Sequence, residues 1–545
     1  MPSPQPLHHR LMLLWAILAG VGMALAAPPL SWSVLAWVSW IPLWWVVLPI
    51  APPPGVTPGQ VALLWSLAHY GILLHWIWDL HPLTWMGVPW LASVAIAIGA
   101  WLGIVAIKTG LVLIWTLTLT WLLRHLPAPA VIPGSGSVTV TGRSIARSVI
   151  TSLLLGLALW QGLQTLLSWT PLTWSTLALT QSPQHPVLLH LGQLSGPLTL
   201  DGLIVGVNGL LAWGIWSVMQ RRWVGVGLLL GTVALVGVGA GTVAQGLATG
   251  AIDDRPEAAI SMGLIQGNVP TREKLSVAGV RRAETRYSEG YRTLSAGGAN
   301  VVVLPEGALP VLWEGLNRAH SLVYQTVRQG TVPMWVGTFL RPEADRSGDF
   351  TQSLIAVNPG GTITARYDKV KLVPLGEYVP FRAVLSRILG KLSPIESTML
   401  PGLPPQEFVT PWGSAAIAIC YEPFFPAIVR QQVAAGSRFI ITSSNLDPYG
   451  PVLMAQHEAQ DVIQAITVDR WLLRVTNTGY SGFISPRGTV QRDLAPQTFG
   501  TAIAPIYPRE SRTPYVRWGD WLTPLWAVLA TLAVLAPVVL AAIRG

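Results

Sequence analysis

The sequence predicts two structural parts: a multi-span α-helical membrane domain and an α/β domain built to face water. Three observations carry this. Hydrophobic residues make up 51% of the 545 positions, charged residues only 11%, and there are 27 tryptophans, whereas an ordinary soluble chain has about 25% charged residues. The charge is unevenly spread: Glu257 to Asp520 holds 25 Lys+Arg and 21 Asp+Glu, and the rest of the chain holds 9 and 4. Finally, apolar runs of span length fill the N-terminal half and recur only at the C-terminus.

The candidate spans are 11–26, 31–50, 59–79, 90–124, 145–168, 197–219, 223–249 and 521–543. The first ends in small residues and resembles a secretory signal, but further spans follow at once, so it is expected to remain as a span. The run 90–124 is too long for one upright span and has no polar turn to divide it, so it reads as one tilted or protruding helix. Lys108 in its middle is read as snorkelling to an interface rather than as a functional group. Tryptophans near span ends, including Trp44, Trp45, Trp76, Trp78 and Trp85, are expected to be mostly interfacial anchors. With the N-terminus in the cytoplasm, Arg10, Arg124, Arg143, Arg147, Arg221, Arg222 and Arg544 fall inside, and Arg255 with the acids Asp79, Asp201, Asp253 and Asp254 falls outside. Arg512 and Arg517 run against this bias, yet long domains translocate largely regardless of charge. The water-facing domain is therefore expected on the outer side. The expected boundaries are 1–250 for the membrane domain with about seven spans, 257–510 for the outer domain and 521–543 for the last span.

From 258 onward, short apolar runs alternate with amphipathic segments. "AISMGLIQGNV", "ANVVVLP", "VPMWVGTFL", a hairpin across Asn358–Gly361, "AAIAI", "RFIITSSN", "LLRVTN" and "SGFISPRG" read as strands. Helices are expected over 276–296, 314–329, 426–435 and 454–470. This alternation argues an α/β sandwich. The net charge of +9 does not argue for nucleic acid, because no basic cluster exceeds pairs such as Arg221-Arg222. A lone cysteine excludes an intramolecular disulfide framework, and no His or Cys cluster has metal-ligand spacing.

Three polar residues stand at strand ends, where side chains leave a sheet for a site. Glu306 follows "VVVLP", Lys369 lies in "RYDKVKLVPLGEYVPF" with Glu377, and Cys420, the single cysteine, follows "AIAI". A carboxylate to take a proton, an ammonium to meet an oxyanion and a thiol to attack are the parts of covalent acyl chemistry. The helix expected after Cys420 would lower its thiol pKa. Each residue also has an ordinary structural reading: a small core thiol, a turn carboxylate, a solvated hairpin lysine. Strand alternation places Tyr367, Lys369 and Lys371 on one face, so spacing does not choose between the two lysines.

Taken in order, "LPEGALP", "YDKVKLVPLGEYVP", "AICYE", "SSNLDPYG" and "LLRVTNTGYSG" resemble the nitrilase superfamily of carbon–nitrogen hydrolases, and more closely its membrane-bound branch, the apolipoprotein N-acyltransferase family. The resemblance covers essentially the whole chain. It implies a nitrilase-like αββα sandwich between membrane segments, with Glu306 as general base, Lys369 as the oxyanion-stabilising lysine and Cys420 as nucleophile. It further implies supporting roles for Glu377, Tyr421 and Glu422, with the Tyr421 N–H as a second oxyanion donor. Leu275, Pro448 and Leu375 depart from the pattern: the first two stand where family tryptophans are expected in loops, the third within the usual "VPFGE".

The activity this implies is a phospholipid-dependent, ping-pong N-acylation of the diacylglyceryl-cysteine at the N-terminus of an apolipoprotein, at the outer face of a bacterial plasma membrane. The expected partners are a phospholipid donor and the apolipoprotein acceptor, the expected state is a monomer, and no metal or organic cofactor is implied. Two other readings stay open at this level: a membrane-tethered amidase or nitrilase acting on a small amide, and a non-catalytic transporter or scaffold.

Overall fold

The computed structural model describes residues 5–48, 55–84, 87–126, 142–174, 176–221, 223–250, 254–316, 318–342, 348–374, 376–378 and 399–544. Among them, five helices are long and apolar enough to cross a membrane: His8–Leu25, Trp90–His125, Val149–Ser168, Leu198–Met219 and Leu230–Thr249. Trp90–His125 is one continuous helix of 36 residues, about 54 Å at 1.5 Å per residue, well beyond a hydrocarbon core of about 30 Å. The last helix, Leu522–Arg544, follows the α/β domain.

The stretch 31–50 is not one helix. It makes a 3₁₀ turn, Ser33–Trp37, and a short helix, Ile41–Val47. Pro42 sits in the first turn of the second piece, where its missing N–H is harmless; in a continuous helix it would break the ladder. The run 59–79 likewise divides into Pro58–Leu73 and a 3₁₀ segment, His75–Leu80. Lys108 does not snorkel: it is 2% exposed inside the helix bundle, within electrostatic reach of the buried Asp201. Trp44 and Trp76 are also buried rather than interfacial. Trp44 donates its indole N–H to the Val205 carbonyl (2.9 Å). Trp78 is exposed, as an anchor requires, and Trp85 lies outside the described residues.

The α/β domain contains two six-stranded sheets. The strands in chain order are β1 Ile260–Gln266, β2 Val301–Val303, β3 Met334–Leu340, β4 Thr351–Val357, β5 Ile363–Asp368, β6 Phe408–Thr410, β7 Gly413–Ile419, β8 Phe439–Ser444, β9 Leu472–Thr476, β10 Ser481–Ile484, β11 Val490–Leu494 and β12 Gly500–Ile506. One sheet has the order β12-β1-β2-β3-β4-β5, the other β11-β10-β9-β8-β7-β6. In each, a parallel centre (β1-β2-β3, β7-β8-β9) is flanked by antiparallel edges.

Strand alternation sorts the side chains into layers. Val301 and Val303 of β2, and Ile417 and Ile419 of β7, face the space between the sheets. Val302 turns to the helices Val277–Ala296 and Leu322–Gln329 on one outer face. Ala416 and Ala418 turn to Pro426–Ala434 and Pro451–Thr467 on the other. This is an αββα sandwich. Its second outer face also packs on Ala178, Leu179, Leu189, Leu191 and Leu200 of the N-terminal part, so the two parts share a core.

Trp335 fills the space between the sheets, edge-on to Phe408 (5.1 Å) and stacked with Phe439 (6.3 Å). Truncating a buried aromatic of this kind costs about 3–5 kcal/mol. Trp335→Ala is therefore expected to lower the apparent melting temperature in detergent by about 10 °C or more. A melting temperature equal to wild type would contradict the placement of this ring at the sheet interface.

Candidate active site

Strand ends from both sheets converge on one buried group of charges. Glu306 lies three residues after β2 in a tight turn, and the chain opposite carries Gly337, where a Cβ would collide with the Pro305 carbonyl and the Glu306 backbone. Lys369 directly follows β5, and its N–H donates to the Gln352 carbonyl (2.8 Å). The Lys369 ammonium is fully buried. It donates to Glu306 Oε1 (2.9 Å) and to Glu377 Oε1 (2.5 Å). Glu306 Oε1 also accepts from the Gln352 amide (2.8 Å), and Oε2 accepts the Asn445 N–H (2.7 Å). Burial alone would lower the Lys369 pKa, but the facing carboxylates Glu306 and Glu377 more than offset it and hold the ammonium well above its usual range.

Cys420 directly follows β7 and is buried beside these groups, within electrostatic reach of Glu306, Lys369 and Glu377. Its backbone is left-handed, φ +52°, a conformation that costs a non-glycine residue about 1–2 kcal/mol and clusters at functional sites. Its N–H donates to the Ser443 carbonyl (3.0 Å). The sequence led us to expect a helix N-terminus that lowers the thiol pKa. That helix begins only at Pro426, and a three-residue 3₁₀ turn, Glu422–Phe424, comes between. Burial and then the Glu306 carboxylate hold the thiol well above its ordinary value, against the opposing pull of Lys369. The resting thiol is protonated.

Glu422 ties the two strand ends together. Its Oε1 accepts the N–H groups of Val370 (2.6 Å) and Lys371 (3.2 Å), and its Oε2 accepts the Ile419 N–H (2.7 Å). The Tyr367 hydroxyl donates to both oxygens at 3.2 Å. Burial pushes this carboxyl up to about 7, against those backbone donors. Lys371 leads away from the cluster: its ammonium lies 5.1 Å from the centre of the Phe425 ring. The geometry thus separates the two lysines that strand alternation leaves equivalent. Tyr421 faces the membrane domain. Its hydroxyl lies 2.9 Å and 2.6 Å from the Pro171 and Thr173 carbonyls, and its ring stacks with Trp174.

A carbon–nitrogen hydrolase family model matches residues 263–513. An apolipoprotein N-acyltransferase of Synechocystis is 39% identical, covering 95% of this chain and 99% of the relative. One of Thermosynechococcus vestitus is 38% identical, covering 98% of each chain. This chain belongs to the apolipoprotein N-acyltransferase family. A further member, from Nostoc, is 39% identical over 94% of this chain and 96% of its own.

Within that family frame, several site residues lay outside the sequence-level expectation. Gln352 sits in the apolar strand β4, where a buried amide is the one available signal. Asn445 lies in "SSNLDPYG", a motif that points to the family but gives this residue no role; its side-chain oxygen also accepts from Asn477 (2.9 Å). Lys274 is buried and donates to the Glu306 backbone carbonyl (3.3 Å). Burial lowers its pKa to about 8, with Glu306 and Asp447 pulling the other way. Of the departures from the family pattern, Leu275 is 57% exposed, Pro448 is partly buried, and Leu375 lies outside the described residues.

Glu422→Gln keeps the shape but turns an amide NH₂ toward backbone donors. Losing hydrogen bonds to a buried carboxylate costs about 1.5–3 kcal/mol, so the variant is expected to melt lower and to lose at least tenfold in activity. An unaltered melting curve would contradict the clamp. Independently, alkylation of Cys420 by iodoacetamide is expected to keep rising from pH 7 to pH 9, because a raised pKa leaves little thiolate at neutral pH. A plateau by pH 7 would contradict the protonated resting thiol.

Proposed function

We propose that this protein transfers a fatty acyl group from a phospholipid to the α-amine of a diacylglyceryl-cysteine at the N-terminus of an apolipoprotein, through a thioester on Cys420. One arrangement carries the reading: a buried thiol within electrostatic reach of a buried carboxylate that is itself paired with a buried ammonium. Those are the three parts that thiol acyl transfer needs.

In the first step Glu306 takes the Sγ proton while sulfur attacks the ester carbonyl. The oxyanion forms beside the Lys369 ammonium and the Tyr421 N–H. Collapse breaks the C–O bond, and the proton held by Glu306 goes to the leaving lysophospholipid oxygen. In the second step the acceptor amine attacks the thioester carbonyl and gives its proton to Glu306. The C–S bond breaks, the sulfur regains the proton, and an amide is formed. Glu377 holds Lys369 in place throughout, and Glu422 holds the lysine-bearing and cysteine-bearing strand ends together.

The contact between the site and the membrane domain supports lipid substrates. Trp174 stacks on Phe424 at 3.8 Å, and Trp76 lies edge-on to Tyr449 (5.6 Å). The segment after the nucleophile and the loop at Tyr449 therefore abut membrane-domain aromatics, which suits an acyl chain arriving from a bilayer. The basic residues flanking the spans support a catalytic domain on the outer side of the plasma membrane.

The test is transfer from a labelled phospholipid to a synthetic diacylglyceryl-cysteine peptide by the purified full-length protein. Wild type is expected to form the N-acyl peptide. Cys420→Ala and Glu306→Gln are expected to lose about 10³-fold or more, and Lys369→Met about 10²–10³-fold. Hydrolysis of small amides with no N-acyl peptide formed would overturn the reading in favour of an amidase.

A further inference from the structure

Behind the cysteine lies a buried chain of hydrogen bonds that the steps above leave unused. His457, on the helix Pro451–Thr467, places Nε2 2.6 Å from the Cys420 carbonyl oxygen. Its Nδ1 lies 2.7 Å from an Arg474 guanidinium nitrogen, and that same nitrogen pairs with Asp461. Asp461 also accepts from the Thr442 hydroxyl (3.2 Å), and Arg474 Nε donates to the Tyr480 carbonyl (2.9 Å). His457, Asp461 and Arg474 are at most 1% exposed.

The protonation pattern follows from the partners. Arginine only donates, so His457 Nδ1 accepts and Nε2 carries the ring proton. His457 therefore donates to the Cys420 carbonyl. That carbonyl belongs to the peptide joining Cys420 to Tyr421, which is not among the cis bonds of the chain. In a trans peptide the C=O and the N–H point to opposite sides. The histidine helix packs on the outer face of its sheet, whereas Cys420 belongs to the layer between the sheets. Pulling the carbonyl toward the helix turns the Tyr421 N–H the other way, to the side that holds the thiol, Glu306 and Lys369.

We propose that His457 is a positioning residue for the oxyanion site: braced by Arg474 and Asp461, it sets the 420–421 peptide so that the Tyr421 N–H faces the developing oxyanion. The same bond helps hold Cys420 in its left-handed conformation. The inference rests on the acyl-transfer reading.

The test separates oxyanion formation from simple thiol reactivity. Alkylation by iodoacetamide displaces iodide at carbon and forms no oxyanion, whereas acylation by a phospholipid does. In the full-length purified protein, His457→Leu is expected to slow single-turnover acylation of Cys420 by about 10- to 100-fold, somewhat less than outright loss of an oxyanion donor. Its iodoacetamide rate is expected to stay within about twofold of wild type, since the thiol's own neighbours Glu306 and Lys369 are untouched. His457→Gln, which keeps an N–H donor at the Nε2 position, is expected to recover about tenfold or more of the acylation rate. Unchanged acylation in His457→Leu would overturn the inference. So would an equal fall of both rates in His457→Leu, with no recovery in His457→Gln, since that pattern means a general loss of structure. A wild-type protein that takes up no acyl group would overturn the acyl-transfer reading itself, and this inference with it.

Discussion

An ammonium held between two carboxylates away from water is the constraint around which the α/β domain is organised. Each ion loses hydration worth several kcal/mol even after relaxation, so the site requires charges and hydrogen bonds in fixed places. Glu306, Lys369 and Glu377 supply the charges, and Gln352 and the Asn445 N–H complete the bonding of Glu306. Glu306, Gln352, Lys369 and Glu377 belong to or follow strands of one sheet, whereas the Asn445 N–H and Cys420 follow strands of the other, so the complete site assembles only when the sandwich closes. The thiol sits where this arrangement helps most. Moving its proton to Glu306 creates a thiolate and removes a carboxylate charge together, leaving the buried net charge unchanged. The raised thiol pKa is then no obstacle, since proton loss to bulk solvent is not the step required.

The second constraint is the shared boundary between the membrane helices and the sandwich. Tyr421, Phe424 and Phe425 next to the nucleophile pack against Trp174 and the apolar core of the N-terminal part. Asp79 accepts the Gly450 N–H (3.0 Å) near Tyr449, and Gln456 donates to the Leu73 carbonyl (3.1 Å). These contacts tie the loop around the site to the ends of membrane helices. A displacement of those helices by lipid would be felt one residue from the thiol.

Much of this was legible in the sequence because it follows from local pattern. Strand runs ending in Glu306, Lys369 and Cys420 mark the site, and the motifs around them indicate the family. What was not legible depends on tertiary geometry. Alternation puts Lys369 and Lys371 on one face, and only the packed structure sends one to Glu306 and the other to Phe425. The hydropathy of 31–50 hides the break at Pro42. β11 and β12 escaped notice because "VQRDL" is largely exposed, and "GTAIAPI" becomes a strand by pairing with β1, more than 200 positions away. His457 and Asp461 stand four apart on an amphipathic helix, yet their partner Arg474 lies on β9 and gives no sign in spacing. The direction of the thiol pKa is not legible in the sequence, because a short turn holds the helix Pro426–Ala434 away from Cys420 and burial dominates.

The most direct test of the central claim is intact-protein mass spectrometry of wild type and Cys420→Ser after incubation with phospholipid. If Cys420 carries the acyl group, wild type gains one fatty-acyl mass that neutral hydroxylamine removes, and Cys420→Ser gains none. No increment on wild type, alongside a positive-control acyltransferase labelled under the same conditions, would contradict transfer through a Cys420 thioester.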